Sequence, residues 1–420
     1  MSLFSIRASL LALASAFLVA ACGGSSSSTT PPPPAAGISV VAGDSQVTVS
    51  WQETAGVEYW IFAAPNSPSL TMANWLATAG STYRIKVTSP FVVTGLTNGT
   101  PYSFFMTGRI NEGPGGDATP TVTSTPRISG IEWANGTALT TGTRTGLTFG
   151  SYIETATNTL KYAYLAVGNG GRMFNATSPD AWSALPSVVG TDLHAAEFGF
   201  AKFIAAGANG KIIYSTDTKT WTTASSNTSQ NLNALAANGS MVVAVGDNGT
   251  VLNSKDAITW TAASSVPTAA NLHGVAYTAA GTWVAVGASG TILTSTDGTT
   301  WTAQASNNTS TLKAVGALTS VVDSTTSHRF VAVGENGTVL SSPDAITWTL
   351  QNANTTASLN ALSSVNQFLV VGSNGTIMTS TDAANWSHQT SNTNAELKSL
   401  LRAQNQYLAV DAAGGILTSK

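Results

Sequence analysis

The stretch from Leu232 to Trp260 reads LNALAANGSMVVAVGDNGTVLNSKDAITW, and its phrases recur through the second half of the chain. Most copies hold short apolar runs, a turn of the form V-G-x-x-G and a segment of the form S-x-D-x-x-x-W. The glycine that opens the turn recurs at intervals of 39, 39, 41, 47, 38 and 39 residues, the last of which ends on an aspartate. The positions are Gly168, Gly207, Gly246, Gly287, Gly334, Gly372 and Asp411.

A period near 40 residues with several short strands per unit predicts an all-β fold, a β-propeller with one four-stranded blade per repeat. In the quoted copy, the predicted strands are Leu232 to Ala236, Met241 to Val245, Thr250 to Asn253 and one that opens at Trp260. Asparagine and glycine between the second and third strands supply the positive φ that a tight hairpin requires.

A tryptophan in each repeat gives the number of blades. Successive intervals are 49, 39, 39, 41, 47 and 38 residues between Trp133, Trp182, Trp221, Trp260, Trp301, Trp348 and Trp386. The residues after Trp386 and the segment Ile128 to Trp133 together make one further repeat. We therefore predict seven blades over residues 128–420, with the N-terminal strand completing the last blade so that no edge is open. The longer intervals predict insertions near Ala134 to Asn158 and Thr319 to Ser327.

The segments that end in tryptophan resemble the Asp-box, or BNR, repeat of sialidases and of photosystem II assembly-factor-like propellers. Five copies keep aspartate four residues before tryptophan, and a shortened copy, SPDAW, ends at Trp182. A short aspartate side chain can accept hydrogen bonds from the amides of its own turn, and tryptophan can fill the wedge between blades. We expect this structural role, and not a catalytic or calcium-binding one, because each aspartate lies on a different blade. The aspartates are Asp180, Asp217, Asp256, Asp297, Asp344 and Asp382.

Residues 1–21 have the pattern of a signal peptide, with Arg7 before an apolar core from Leu10 to Val19. The V-A-A-C sequence at Val19 to Cys22 resembles a bacterial lipobox, which implies that Cys22 carries a lipid. Gly23 after it resembles lipoproteins sorted to the outer membrane. An ordinary cleaved secretory signal is the alternative, and it predicts a secreted protein. Residues 22–36 are rich in Ser, Thr and Pro and predict a tether.

Residues 37–127 predict an all-β sandwich with short alternating strands separated by Gly, Asn and Pro turns. The unit resembles a fibronectin type III domain in two features: the position of Trp51, and the spacing of Leu96 and Tyr102, which matches that family's tyrosine corner. Such domains in exported bacterial proteins mostly serve as spacers. The segment between Pro65 and Val87 is longer than is usual for the family.

Only 9% of the residues are charged and the net charge is −3, which argues against a nucleic-acid surface. The sequence contains no cofactor motif, and we predict neither a cofactor nor a metal site. The four histidines, His194, His273, His328 and His388, are scattered without metal-ligand spacing.

Ligands of this fold usually meet the end that carries the turns between second and third strands. The candidate binding face consists of Asn169, Asn209, Asp247, Asn248, Ser289, Glu335, Asn336, Ser373 and Asn374. The leading hypothesis is a non-catalytic scaffold of the cell envelope that binds a protein or a surface glycan. The rival is a glycan-active enzyme, sialidase-like or a lyase, with Asp247 and Glu335 as acidic candidates. Small polar residues at these positions are also explained by turn formation alone.

Overall fold

A computed structural model of the protein describes residue 34 and residues 37–111, 113–136, 138–139, 144–322 and 325–419. The predicted signal peptide, Cys22 and nearly all of the predicted tether lie outside these residues. The chain divides into two compact units, with the boundary between Ile128 and Ser129. Within the described residues, no helix combines the length and the apolar character needed to cross a membrane.

Unit 1 consists of two antiparallel sheets, one of three strands (β1-β2-β5) and one of four (β4-β3-β6-β7). Its strands are β1 (Ser39–Gly43), β2 (Gln46–Ser50), β3 (Glu58–Pro65), β4 (Thr82–Val87), β5 (Phe91–Thr94), β6 (Tyr102–Arg109) and β7 (Val122–Ser124), and a 3-10 turn spans Trp75–Ala77.

The core of unit 1 lies between its two sheets. Val47 and Val49 alternate along β2 and are fully buried, and Trp51 follows them into the same cluster. Trp51 packs edge to face on Tyr59 of the opposite sheet, with ring centroids 5.5 Å apart. The period-2 pattern of the sequence therefore places these side chains on one face, as alternation in a strand requires.

The long segment after Pro65 covers the outer face of the four-stranded sheet. Leu70 and Trp75 lie in it, and they form a second apolar cluster with Phe62 and Phe105. All eight residues of β6 are buried, because both faces of this strand are covered. This explains why the sequence YSFFMTGR shows no alternation of apolar and polar residues.

Unit 2 contains seven four-stranded antiparallel sheets, which we number I to VII in chain order. Sheet I has β9 (Arg144–Glu154), β10 (Thr159–Gly168), β11 (Met173–Ala176) and β12 (Trp182–Leu185). Sheet II has β13 (Leu193–Gly199), β14 (Lys202–Gly207), β15 (Ile212–Ser215) and β16 (Thr222–Ala224). Sheet III has β17 (Leu232–Ala237), β18 (Val242–Gly246), β19 (Val251–Ser254) and β20 (Thr261–Ala262). Sheet IV has β21 (Leu272–Tyr277), β22 (Trp283–Gly287), β23 (Ile292–Ser295) and β24 (Thr302–Gln304).

Sheet V has β25 (Leu312–Val322), β26 (Thr325–Gly334), β27 (Val339–Ser342) and β28 (Thr349–Gln351). Sheet VI has β29 (Leu359–Val365), β30 (Gln367–Gly372), β31 (Ile377–Ser380) and β32 (Ser387–Gln389). Sheet VII has β33 (Leu397–Ala403), β34 (Gln406–Asp411), β35 (Ile416–Ser419) and, as its fourth strand, β8 (Ala134–Asn135). Short 3-10 turns join second and third strands at Asn169–Gly171, Ala208–Gly210, Asp247–Gly249, Ala288–Gly290, Glu335–Gly337 and Ser373–Gly375.

The core of unit 2 is a series of apolar layers between successive sheets. Each layer draws its residues from two neighbouring sheets, as Ile204 of sheet II and Val242 of sheet III do. The last layer joins sheet I to sheet VII, where Tyr164 packs with Leu408. Second strands such as β18 are buried on both faces and read as the continuous apolar run VVAVG.

The fourth strand of sheet VII comes from the N-terminal end of unit 2. Ala134 and Asn135 pair with Thr418 and Leu417. The paired residues therefore follow the expected segment, Ile128 to Trp133, and Trp133 itself is buried in the layer between sheets VI and VII. Hydrogen bonding across this join links the two ends of unit 2 in one sheet.

The two insertions extend the hairpins between first and second strands. β9 pairs with β10 along ten residue pairs, and β25 pairs with β26 similarly. The tip of the first hairpin exposes Ile153 and Leu160, and the last described pairs of the second hairpin join Val321 to Thr326 and Val322 to Thr325. Insertions at these positions leave the four-stranded sheets intact.

The third residue of each 3-10 turn is a glycine because of conformation and space together. In sheet IV, Gly290 has φ +69°, and a Cβ on it would collide with the carbonyl oxygen of Asn308 in the connection to the next sheet. Its N–H donates to the oxygen of Ser310 at 3.0 Å. The turn is thus held against the neighbouring sheet.

We predict that Gly290→Ala destabilises unit 2 by roughly 3 kcal/mol, the sum of a left-handed backbone and a steric clash. The matched control is Gly239→Ala. Gly239 also has a positive φ, +79°, but a Cβ added to it would have nothing within 4 Å. The free energy of unfolding of this variant should therefore fall by only about 1 kcal/mol. Thermal unfolding of the purified chain measures both, and equal losses would refute the role of the inter-sheet contact.

Candidate functional site

The aspartates of the S-x-D-x-x-x-W segments hold the turns between third and fourth strands. In five copies, Oδ1 accepts hydrogen bonds at 2.7–2.9 Å from the backbone N–H groups two and three residues later. A serine hydroxyl two residues earlier donates to the same oxygen at 2.9–3.1 Å. These aspartates are Asp217, Asp256, Asp297, Asp344 and Asp382. Within the described residues, Asp180 of the shortened copy makes none of these bonds.

The tryptophans that end the boxes lie at or in the layers between sheets. Trp260, Trp301 and Trp348 are buried, whereas Trp182, Trp221 and Trp386 are half-buried. In every copy except that of Trp260, the indole N–H donates to the carbonyl oxygen three residues earlier, at 2.7–3.3 Å. Aspartate and tryptophan therefore both stabilise the turn, at the end of the sheet opposite the 3-10 turns.

These hydrogen bonds lower the pKa of the aspartates. Backbone donation from Thr259 and Ile258 lowers the pKa of Asp256 to about 2. The same kind of bonds holds the pKa values of Asp297, Asp344 and Asp382 below their usual range. These carboxylates are held as anions, each with its Oδ1 engaged in its own turn.

The 3-10 turns carry the predicted binding face, and its nine residues separate into two groups. Asn209, Asn248, Ser289, Asn336 and Asn374 occupy the second turn position, are exposed and have φ between 52° and 56°. Asparagine is favoured there because its short side chain tolerates the left-handed region. Asn169, Asp247, Glu335 and Ser373 occupy the first position, where the backbone is right-handed and side-chain chemistry is unconstrained.

The inner strands bring a second set of side chains to the same end of the sheets. In sheets II to VII the register shifts by one residue directly after the first leucine, which leaves one extra residue in the inner strand. Such a bulge re-aims the side chain of the extra residue. The bulged residues are His194, Asn233, His273, Lys313, Asn360 and Lys398. Thr145 holds the equivalent backbone position in sheet I, and its side chain is not among those described.

All seven inner strands line one cavity of about 220 Å³, and all six bulged side chains contribute to its wall. Each of the six is half-buried, whereas the leucine before it is fully buried in an apolar layer. The cavity is therefore a central site whose polar wall comes from one residue per sheet. We call these six residues the channel ring.

The carboxylate of Asp247 is held at the ring by two amides. Asn231 and Asn233 donate to it at 2.9 and 2.8 Å, and Asn233 also donates to the carbonyl oxygen of Leu272 in the next sheet at 2.9 Å. Both donors are neutral. The negative charge of Asp247 is therefore fixed in place, and no ion pair within the described residues neutralises it.

The two lysines of the ring have acidic neighbours. Lys398 contacts Glu396 at 2.7 Å, and this bond lowers the pKa of Glu396. Lys313 lies 3.8 Å from Glu335 and donates to Ser358 at 2.8 Å. Besides His194 and His273, the described ring residues and their hydrogen-bond and ion-pair partners thus include two lysines and three acidic residues, Asp247, Glu335 and Glu396.

His273 differs from the other ring residues in having no hydrogen bond within the described part of the chain. Burial lowers its pKa, and Lys313 lowers it further, while the carboxylates of Asp247 and Glu335 act in the opposite direction. Both acidic candidates of the predicted face are thus close enough to affect one imidazole. Burial thus favours the neutral form of His273, and its ring nitrogens have no hydrogen-bond partner within the described residues.

Two of the four histidines, which show no metal-ligand spacing in the sequence, lie at one cavity. His194 and His273 line the same cavity, while His328 lies on the β25–β26 hairpin and His388 on an outer strand. No group of three or more His, Cys, Asp or Glu side chains in the described ranges is placed to hold a metal ion. The signal in the sequence was a polar residue between Leu and a small or apolar residue at the start of each repeat, as in L-H-G and L-K-A.

Two larger hollows, of about 610 and 480 Å³, lie beside the connection from sheet II to sheet III. Ser226 to Thr228 line both. Their polar groups are engaged with one another, since Ser225 donates to Asn227 at 2.8 Å and Ser226 to the oxygen of Thr228 at 3.4 Å. The cavity at the channel ring is therefore the better candidate for a ligand site, although its volume is smaller.

Comparison with known proteins supports the fold. No protein-family model and no curated protein matches the chain. Among solved structures, YCF48 bound to a D1 peptide is 16% identical with a TM-score of 0.54, and the match covers 70% of this chain and 98% of that one. YCF48 from Cyanidioschyzon merolae is 14% identical with the same TM-score, over 68% and 98% of the two chains. A virginiamycin B lyase from Staphylococcus aureus is 12% identical, with a TM-score of 0.55 over 69% and 98%. These likenesses confirm the predicted β-propeller fold.

The bonds of Asp256 generate a pH-dependent prediction. Asp256→Ala should lower stability at pH 7 by roughly 1 kcal/mol, as loss of a capping carboxylate does. Because the folded pKa is about 2 and the unfolded pKa about 3.9, the contribution is present above the unfolded value and lost as pH falls toward the folded one. Thermal unfolding of wild type and variant should therefore converge between about pH 5 and pH 2. Asp180→Ala is the matched control, and a loss of equal size there would contradict the assignment.

Proposed function

We propose that the protein is a non-catalytic binding scaffold of the cell envelope, tethered through Cys22, whose seven-bladed Asp-box propeller presents the channel ring and the 3-10 turns to a protein partner. One observation carries this proposal. Six polar side chains of three kinds (His, Asn and Lys), one from each of six sheets, converge on a single cavity.

Internal comparison of the repeats supports a binding role. Positions that build the fold, such as the turn glycine at Gly246 and the box aspartate at Asp256, are nearly the same in every copy. The ring position instead reads His, Asn, His, Lys, Asn and Lys. The bulge is present with each of these residues, so the fold does not dictate them. Side chains that vary over a constant backbone are typical of a recognition surface.

The choice of a protein partner is supported by the fold neighbour YCF48, whose structure contains a bound peptide. At 16% identity this likeness concerns the fold, and it shows that a propeller of this shape accommodates a peptide. Neutral amides and hydroxyls dominate the turns of the present chain, which suits hydrogen bonding to a polypeptide.

For unit 1 we propose a fibronectin type III-like spacer. A three-stranded and a four-stranded sheet around Trp51 support this. So does Tyr102, whose hydroxyl accepts a hydrogen bond from the backbone N–H of Thr97 at 3.2 Å, as in a tyrosine corner.

A glycan ligand or a glycan-active enzyme is the alternative. It is favoured by one observation, that Asp247 and Glu335 both act on His273. Against a sialidase-like site, no arginine is among the described side chains that line the cavity. Conversion of an envelope glycan by the wild type, abolished in Asp247→Asn, would favour the enzyme.

We predict that His273→Ala reduces recovery of the crosslinked protein partner from living cells at least severalfold. His273 makes no hydrogen bond in the described structure, so its removal should change recognition without unfolding the sheet. His388→Ala on an outer strand is the matched control and should recover the partner as the wild type does. Equal recovery with all three proteins would refute the ring as the binding site.

We also predict that Cys22→Ser abolishes incorporation of a radiolabelled fatty acid and moves the protein from the membrane fraction to the soluble one. A thioether-linked lipid requires the cysteine sulfur, and serine cannot replace it. Export should continue in the variant, which is checked by its arrival in the periplasm or the medium. Unchanged labelling would instead support an ordinary secretory signal.

A further inference from the structure

We propose that the channel ring binds a carboxylate of the partner protein, from an aspartate or glutamate side chain, between the ammonium groups of Lys313 and Lys398. This inference rests on the proposed binding function and names the chemistry of the recognised group. It is carried by the two lysines in the cavity wall and by the hydrogen bonds that hold them.

The formal charges in the wall of the cavity are positive. Lys313 of sheet V and Lys398 of sheet VII both line it, and none of the described residues that line it is Asp or Glu. The other four ring residues are two histidines and two asparagines. A cationic group in this cavity would meet two ammonium groups and no carboxylate. An anionic group would meet charges of the opposite sign.

Hydrogen bonds through sheet VI hold both ammonium groups in place. Lys313 Nζ donates to Ser358 Oγ at 2.8 Å and to Asn360 Oδ1 at 3.0 Å. Nδ2 of Asn360 donates to Glu396 Oε1 at 3.4 Å, and the same oxygen accepts from Lys398 Nζ at 2.7 Å. One amide and one carboxylate therefore link the two ammonium groups. Side chains that are already held lose less freedom when a ligand binds.

Each ammonium group keeps N–H donors for a ligand. An ammonium carries three N–H groups and no acceptor. Within the described residues, Lys313 uses two of them, in its bonds to Ser358 and Asn360, and Lys398 uses one, in its bond to Glu396. The remaining donors are enough for a carboxylate, which accepts through two oxygens.

The acidic neighbours offset the charge of the two lysines only in part. Glu396 is the one carboxylate of the described structure within hydrogen-bond distance of either ammonium group. Glu335 lies 3.8 Å from Lys313 and its side chain is 46% exposed, so water screens this pair. Asp247 is held by two amides of sheet III and does not line the cavity. A carboxylate supplied by a partner therefore completes the pairing of the two ammonium groups.

The size of the cavity favours a single side chain as the ligand. Its volume is about 220 Å³, below the roughly 300–1,000 Å³ of sites that enclose a whole small molecule. An aspartate or glutamate side chain fits this space. An acidic sugar offers the same carboxylate on a bulkier ring, and the experiment below separates the two sources.

The experiment uses the full chain with lysine labelled with ¹³C at Cε and follows the NMR signals of Lys313 and Lys398, assigned with Lys313→Met and Lys398→Met. Three probes are titrated at low salt: the N-acetyl methylamides of glutamate and of glutamine, and methyl glucuronide. The glutamate probe should shift both signals with a millimolar dissociation constant, typical of a single-residue ligand. The glutamine probe has nearly the same shape without the charge. It should bind at least about tenfold more weakly, because charge-assisted hydrogen bonds are lost.

Two variants should change the affinity for the glutamate probe in opposite directions. Lys398→Met, followed at the Lys313 signal, should weaken binding at least about tenfold. Glu396→Gln should tighten binding severalfold, because no internal carboxylate then competes for Lys398. Lys255→Met is the matched control, since Lys255 is exposed in the turn between β19 and β20, and it should bind as the wild type does. If a variant does not fold, the glutamate and glutamine probes on the wild type still decide the question.

Three results would overturn the inference. The glutamine probe could bind as well as the glutamate probe, methyl glucuronide could bind more tightly than either, or the glutamate probe could shift neither lysine signal at tens of millimolar. The second result would assign the site to an acidic sugar and not to a protein side chain. None of the three affects the capture of a partner by the wild type, which tests the binding function separately.

Discussion

The close approach between each opening glycine and the start of the inner strand is the constraint on which unit 2 depends. A Cβ on Gly287 would collide with the carbonyl oxygen of Asn271, and Gly287 pairs with Leu272. The next pair in the ladder joins Gly274 to Val286, so His273 is left over. The bulge therefore arises at the point where the turn is pressed against the strand.

Sheet VII shows which part of this constraint is essential. Asp411 stands where the other sheets have glycine, yet it pairs with Leu397 and the register shift is kept. Its own carboxylate accepts from the N–H groups of Ala413 and Gly415 at 2.8 and 2.7 Å, so the turn is closed by a side chain as well as by backbone bonds. The pairing across the bulge is retained although the glycine is not. Each sheet thus places one polar residue in the cavity while its leucine stays in the core.

The repeats made the strands, turns and boxes predictable because each rests on local chemistry. Gly246, Asp256 and Trp260 recur at fixed spacing for reasons that act within a few residues. The ring was not predicted, because a bulge reverses the face of every later residue in the strand. Alternation alone cannot show that His273 leaves the core side. The cover provided by Trp75 in unit 1 was also missed, since its partners Phe62 and Phe105 come from distant strands.

Few residues of this chain are charged, so the positions of those that are charged are informative. Only 9% of the residues are charged, and five of the 20 Asp and Glu residues hold turns between third and fourth strands, where Oδ1 of each accepts from two backbone N–H groups. The ring nevertheless contributes Lys313 and Lys398 to the wall of one small cavity, and Asp247, Glu335 and Glu396 each contact a ring residue. Half-buried charges at sheets III, V and VII cost desolvation and do not strengthen the apolar layers. A repeat that served only to complete the propeller could carry asparagine at every bulge, as sheets III and VI do. The residues that depart from this minimum, His273 above all, are therefore the part of the propeller that its fold does not explain.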